Sequence, residues 1–125
     1  MLWLNSVPAS DLRVLYRHAL ATVCPSLAEG FDYSGVEAMR SGGVVAASDI
    51  NTHREVYDDA AEYFDPYSTA SAVAALMRVL YDADAARRRE ELMAAGARVS
   101  GRYLPPVILP KWRDFLDRLA RERKV

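Results

Sequence analysis

Apolar positions along the chain alternate between short runs and helical spacing, the pattern of a βα architecture built on a parallel sheet. Leu2 to Leu4 reads as a brief strand, closed by a turn around Ser6 and Pro8. Leu12, Leu15, Tyr16 and Ala19 recur at helical intervals and predict a helix with one buried face. Ala21 to Cys24 is the next strand, stopped by Pro25. Ser34 to Ser41 is a short helix ended by Gly42-Gly43, and Val44 to Ala47 is a buried strand. Asn51 to Val56 is a second short helix, with Thr52 and Glu55 spaced as a capping box. Glu62 to Phe64 is a last strand before Asp65-Pro66.

The remainder is helical. Val73, Leu76, Met77 and Leu80 form an apolar stripe, and Asp84 opens a longer charged helix that runs towards Tyr103. Pro105-Pro106 breaks that helix. A final amphipathic helix carries Trp112, Phe115, Leu116 and Leu119, whose aromatic stripe reads as core. The expected fold is therefore α/β: a Rossmann-like parallel sheet of about four short strands with flanking helices over residues 1–105, and an amphipathic helix over 106–125. That helix would pack on the body or on a missing domain. In doubly wound sheets the first strands lie centrally, so a piece lacking them would expose an edge, and the chain is expected to be part of something larger.

Composition narrows the function. At 125 residues and a formal charge of −1, the chain has no face flooded with Lys and Arg, which excludes a nucleic-acid partner. Arg87-Arg88-Arg89 is followed at once by Glu90-Glu91 and reads as a solvated helix face; Arg121-Glu122-Arg123-Lys124 reads as a frayed helix end. The single cysteine, Cys24, ends an apolar run and reads as a small buried residue. No apolar segment is long enough to span a membrane, and the start lacks the build of a signal peptide, so a cytoplasmic domain is expected. No His, Cys or acidic cluster has metal-ligand spacing, so neither metal nor cofactor is expected.

Chemistry concentrates between Pro25 and Met39. A strand leads into the loop Glu29-Gly30-Phe31-Asp32-Tyr33 and then into a helix N-terminus, where ligands of open α/β sheets dock. The free amides of Ser34, Gly35 and Val36 would favour a phosphate, and Gly30 and Gly35 leave the backbone bare for close approach. Glu29 and Glu37 bracket this anion site. Glu37 has two readings. It can accept hydrogen bonds from a ribose diol, or it can close a capping box on Ser34. Glu29 taken alone is a solvated loop acid. His18 falls at a helix end in a structural role, and His53 reads as a surface residue.

The run Pro25-Ser26-Leu27-Ala28-Glu29-Gly30-Phe31, then Glu37-Ala38-Met39, Ser41-Gly42, Asp49-Ile50, Arg54-Glu55-Val56 and Tyr63-Phe64-Asp65-Pro66, resembles a known family. It is similar to the Glu-x7-Glu motif and its surroundings in retaining glycosyltransferases of the two-domain GT-B fold, in particular glycosyltransferase family four. The likeness runs in order from about Leu12 to about Tyr81. It implies a partial GT-B C-terminal domain that uses a nucleoside-diphosphate sugar as donor substrate and transfers a hexosyl group with retention. By resemblance, Glu37 binds the ribose, Glu29 lies by the donor sugar as the catalytic candidate, and Phe31, Asp32, Tyr33, Ser34, Gly35 and Val36 with Gly30 receive the diphosphate and sugar.

Departures stand out. Asp32 replaces a usual glycine, Ser34 a frequent proline and Val44 another. Pointing inward, Asp32 would repel a diphosphate; pointing outward, it would cost little. The Arg and Lys with which the family neutralises the diphosphate have no counterpart: the two lysines are Lys111 and Lys124, far along the chain, which leaves Arg40, His53 and Arg54 as nearer cations. The expected partners are a nucleotide sugar, an acceptor that the sequence does not name, and an N-terminal domain or partner chain. Little or no transferase activity is expected from the chain alone. The competing readings are a non-catalytic nucleotide-sugar-binding or interaction module and, ranked low, a receiver-type signalling domain, whose acidic cluster and late lysine are lacking.

Overall fold

A computed structural model describes residues 1–123, so Lys124 of the basic tail lies outside the described residues. The elements in chain order are α1 (Ala9–His18), β1 (Thr22–Cys24), α2 (Tyr33–Arg40), β2 (Val45–Ser48), α3 (Asn51–Tyr57), β3 (Ala61–Phe64), α4 (Thr69–Leu80), α5 (Ala85–Gly101) and α6 (Pro105–Glu122). The three strands form a parallel sheet in the order β1-β2-β3, with Val23 beside Ala46 and Ala46 beside Glu62. The Rossmann-like α/β architecture is as expected, with one strand fewer. Leu2 to Leu4 is not a strand; the segment has no regular secondary structure and is exposed, with Trp3 at 78%. An isolated three-residue strand needs a neighbour to accept its backbone hydrogen bonds, and the described sheet offers it none.

Small residues allow the sheet to be fully covered. Val45, Ala46 and Ala47 have no exposed surface, as suits a central parallel strand packed on both faces. On one face Cys24, Val45, Ala47 and Ala61 meet Val36, Ala38 and Met39 of α2, Val56 and Tyr57 of α3, and Val99 of α5. On the other, Ala46 and Phe64 meet Ala75 of α4, while Val44 packs with Val79 and Leu92. Glu62 projects from this second face too, and its buried carboxylate is held by Arg78 and by Arg88 at 2.8 Å. The Arg87–Arg89 run is thus partly structural, with Arg87 bridging Asp84 at 2.9 Å on the solvent side.

The two outer helices do not bury the faces that periodicity assigned to them. In α1, Leu12, Tyr16 and Ala19 are half-buried, Leu15 is exposed, and no residue is fully covered. In α6, Trp112 and Phe115 are exposed and stack edge-to-face with centroids 5.9 Å apart, so they are not core. The proline pair does more than end a helix. Pro105 opens α6 at its first turn, where no amide hydrogen is needed, and α6 continues through Pro110.

Gly43 fixes how α1 meets the body. A Cβ there would stand 2.5 Å from the Tyr16 carbonyl oxygen and 3.1 Å from that of Ala38. Backbone atoms cannot step aside as a flexible side chain can. Gly43→Ala is expected to destabilise the fold by about 1–3 kcal/mol, read as a lower urea midpoint; an unchanged midpoint would contradict the close packing of α1 on the α2–β2 turn.

Candidate functional site

The loop after β1 reaches the start of α2 through a turn that Asp32 makes possible. Its backbone adopts φ 61°, a left-handed conformation that Asp tolerates better than most residues. Its carboxylate then accepts the Ser34 amide at 3.0 Å and caps the helix. Asp32 therefore points inward. It takes one of the amides that the sequence offers to an anion, and the capping-box reading of Glu37 falls, because the helix begins at Tyr33 with Asp32, not Ser34, as its cap.

A chain of buried polar contacts holds Asp32 in place. Its second carboxylate oxygen lies 3.1 Å from His53 Nε2, and the side chains are 8% and 0% exposed. His53 is thus not on the surface: its imidazole packs flat against Tyr57, with ring centroids 5.0 Å apart, and its Nδ1 lies 2.9 Å from the Ser48 carbonyl oxygen. Ser48 Oγ donates to the Ser26 carbonyl, tying the end of β2 to the start of the loop. Tyr57 Oη donates to the Asp32 carbonyl at 3.3 Å, and a Cβ on Gly35 would collide with that phenol. Burial works to raise the Asp32 pKa, but hydrogen bonds from Tyr57 and the Ser34 amide, with the His53 charge, outweigh it and hold the carboxyl below its ordinary value. The same burial pushes the Tyr57 phenol far up and the Cys24 thiol to about 12, so both stay neutral. Cys24 is buried, as expected of a packing residue.

The two glutamates lie on different sides of this hub. Glu37 lines a cavity of about 390 Å³ between α1 and α2, with Leu12, Arg13, Tyr16, Arg40 and Ser41. Burial and the nearby Glu37 charge raise the Tyr16 phenol, leaving it a neutral donor at the cavity wall. Glu29 is exposed; its carboxylate accepts from Ser26 Oγ at 2.6 Å, and its carbonyl accepts from Thr52 Oγ1 at 2.8 Å. Thr52 thus serves the loop and not a capping box, and α3 starts from Ile50 without a side-chain cap. Gly30 is open, Phe31 packs on Tyr33 and Tyr103 at 4.8 and 5.0 Å, and Gly35 and Val36 are buried under the helix start.

Among the three nearer cations, Arg40 alone faces the cavity with Glu37. Arg54 is engaged by Asp49 at 2.6 and 2.7 Å and lies 3.7 Å over the Tyr63 ring. Arg13 was not singled out in the sequence. Its signal was there: Ala9, Arg13 and Tyr16 fall on one helical face, the face that meets α2. Among the described residues no group of three or more His, Cys, Asp or Glu could hold a metal ion, and no helix is long and apolar enough to cross a membrane.

The sequence family described as "Glycosyl transferases group 1" matches residues 1–97, most of the chain. This chain belongs to the group 1 glycosyl transferases. Its relatives include the O-antigen chain mannosyltransferase RfbU of Salmonella typhimurium, 35% identical over 92 residues that make up 74% of this chain and 26% of that protein. A second, O-antigen chain mannosyltransferase B of Escherichia coli, is 36% identical over 80 residues, 64% of this chain and 21% of its own. The chain spans about a quarter of the length of the curated relatives it matches. No solved structure matches it significantly.

Within this group 1 glycosyl transferase chain, Asp32→Asn keeps a capping oxygen and suits the left-handed backbone, so it isolates the charge. Because the folded carboxyl titrates below its ordinary value of 3.8, its stabilisation is complete above that pH and is lost as pH falls through the lower folded value. Asp32→Asn should therefore cost about 1–3 kcal/mol near neutrality, and the gap to the native chain should close in strong acid. Urea midpoints at neutral and acid pH check this, and a gap that does not depend on pH would contradict it.

Proposed function

We propose that the chain is the donor-binding C-terminal portion of a retaining, GT-B glycosyltransferase of family four that transfers a hexosyl group from a nucleoside-diphosphate sugar. Glu37 accepts the ribose hydroxyls, Glu29 meets hydroxyls of the donor sugar, and Gly30 to Val36 flank the diphosphate. The observation that carries this reading is the cavity at Glu37, whose volume suits a nucleoside and whose rim holds both Arg13 and Arg40. Those guanidiniums, Arg13 from α1 and Arg40 from the last turn of α2, are the positive charges that the cavity offers a diphosphate. The names of both relatives make mannosyl the leading hexosyl group.

Chemistry at such a site is mostly positioning and charge. The carboxylates orient sugar and ribose, while the amides of α2 that Asp32 leaves free and the arginines stabilise the departing diphosphate, with no metal required. The acceptor and the remaining donor contacts come from an N-terminal domain or partner chain, so the chain alone carries little or no turnover. We place the assembled enzyme in the cytoplasm, where nucleotide sugars are supplied.

A second reading, a non-catalytic nucleotide-sugar-binding module, draws support from Asp32, whose carboxylate already holds an amide of the anion site. Calorimetry with GDP and UDP tests the donor assignment. Glu37→Ala is expected to weaken the better of the two about tenfold or more, the scale of lost hydrogen bonds to a charged group, and Glu55→Ala, on the exposed side of α3, to leave it unchanged. Binding indifferent to Glu37 would refute the ribose assignment. Robust turnover by the purified chain alone would show that no second domain is needed.

A further inference from the structure

His53 faces acceptors at both ring nitrogens. Nδ1 lies 2.9 Å from the Ser48 carbonyl oxygen and 3.1 Å from Ser48 Oγ, whose own hydrogen is given to the Ser26 carbonyl. Nε2 lies 3.1 Å from the Asp32 carboxylate. A neutral imidazole carries one N–H and would set a bare nitrogen lone pair against an oxygen lone pair at one end or the other. With Asp32 ionised, as its lowered pKa has it, and the Ser48 hydrogen given to Ser26, only the doubly protonated ring satisfies every contact of a side chain with no exposed surface.

The other groups around the ring leave that charge to Asp32. From α3 the stacked Tyr57 is a neutral phenol, and from β1 the nearby Cys24 is a neutral thiol. From β3 the Tyr63 hydroxyl donates to the His53 carbonyl and to that of Asp58, and burial raises its pKa to about 12. Arg54, the next residue, turns outward to Asp49. On the loop, Glu29 is exposed and engaged with Ser26. On α2, Glu37 faces α1 across the cavity.

We propose that His53 is a positioning residue of the donor site: as a buried imidazolium beneath the start of α2 it cancels the charge of Asp32, so that an anionic diphosphate can lie against a loop that carries its own carboxylate. This rests on the donor-site reading above. It accounts for how an acidic residue is tolerated beside a diphosphate site. Asp32 supplies the turn and the cap, and His53 removes the repulsion that its charge would create. The two residues act as one neutral unit, so losing the histidine alone is worse than losing both.

Two measurements test this. The imidazole nitrogen spectrum of the labelled native chain at neutral pH should show both His53 nitrogens protonated; a non-protonated Nε2 or Nδ1 would overturn the proposal and needs no variant. Calorimetry with inorganic pyrophosphate then compares the native chain, His53→Gln, Asp32→Asn and the double variant. An uncompensated Asp32 charge should weaken pyrophosphate about tenfold in His53→Gln, and Asp32→Asn in the same chain should restore it to within about twofold of native. A double variant as weak as His53→Gln would show a purely structural histidine and sink the proposal. If the native chain binds neither pyrophosphate, GDP nor UDP, the donor-site reading fails and takes the role of His53 with it, while the nitrogen spectrum still decides whether the buried pair is charged.

Discussion

The buried contact between His53 and Asp32 ties the start of α2 to α3 and the end of β2, beside their apolar packing. Through Ser48 the imidazole is anchored to the end of β2, and through Asp32 it reaches the first turn of α2, two segments far apart in sequence. The loop between β1 and α2 is tethered twice more, by Ser48 to the Ser26 carbonyl and by Thr52 to the Glu29 carbonyl. A polar chain of this kind, with each partner satisfied, defines one geometry where apolar contacts would allow several. The direction in which α2 leaves the sheet, and hence where Glu37 and Arg40 stand, follows from it.

Gly35 lets that arrangement close. With no Cβ, α2 can approach the Tyr57 ring, and Tyr57 in turn stacks on His53 and reaches the Asp32 carbonyl. A glycine that reads as bare backbone for a ligand thus has a packing role of its own. The central strand makes the matching demand from below: Val45, Ala46 and Ala47 are small enough for helices to cover both faces closely.

Much of this was legible in the sequence, for physical reasons that can be named. β2, β3 and α2 to α5 are short apolar runs and amphipathic stripes whose burial is local to the chain, so periodicity finds them. Leu2 to Leu4, α1 and α6 carry equally apolar patterns, yet pattern reports only a wish to be buried; whether a partner exists is decided elsewhere. His53 shares a helical face with Val56 and Tyr57, three and four residues on, which marks that face as buried; what makes a histidine acceptable there, its partners on β2 and on a loop some twenty residues upstream, shows only in three dimensions. Asp32 was legible as an intrusion but not in its direction, since helix capping and its distant histidine settle that only in three dimensions. Arg13 lies on a predictable helical face but outside the motif, and only the packing of α1 on α2 brings it to Glu37.

Whether a nucleoside diphosphate sits between α1 and the start of α2 is tested most directly by amide chemical-shift mapping of the labelled chain during titration with GDP and UDP. Shifts are expected to gather at Arg13, Tyr16, Glu37 and Arg40 and to extend to Ser34 and Gly35. Shifts centred instead around Arg54, Asp49 and Asp65 beyond β3, or none with either nucleotide, would contradict that placement.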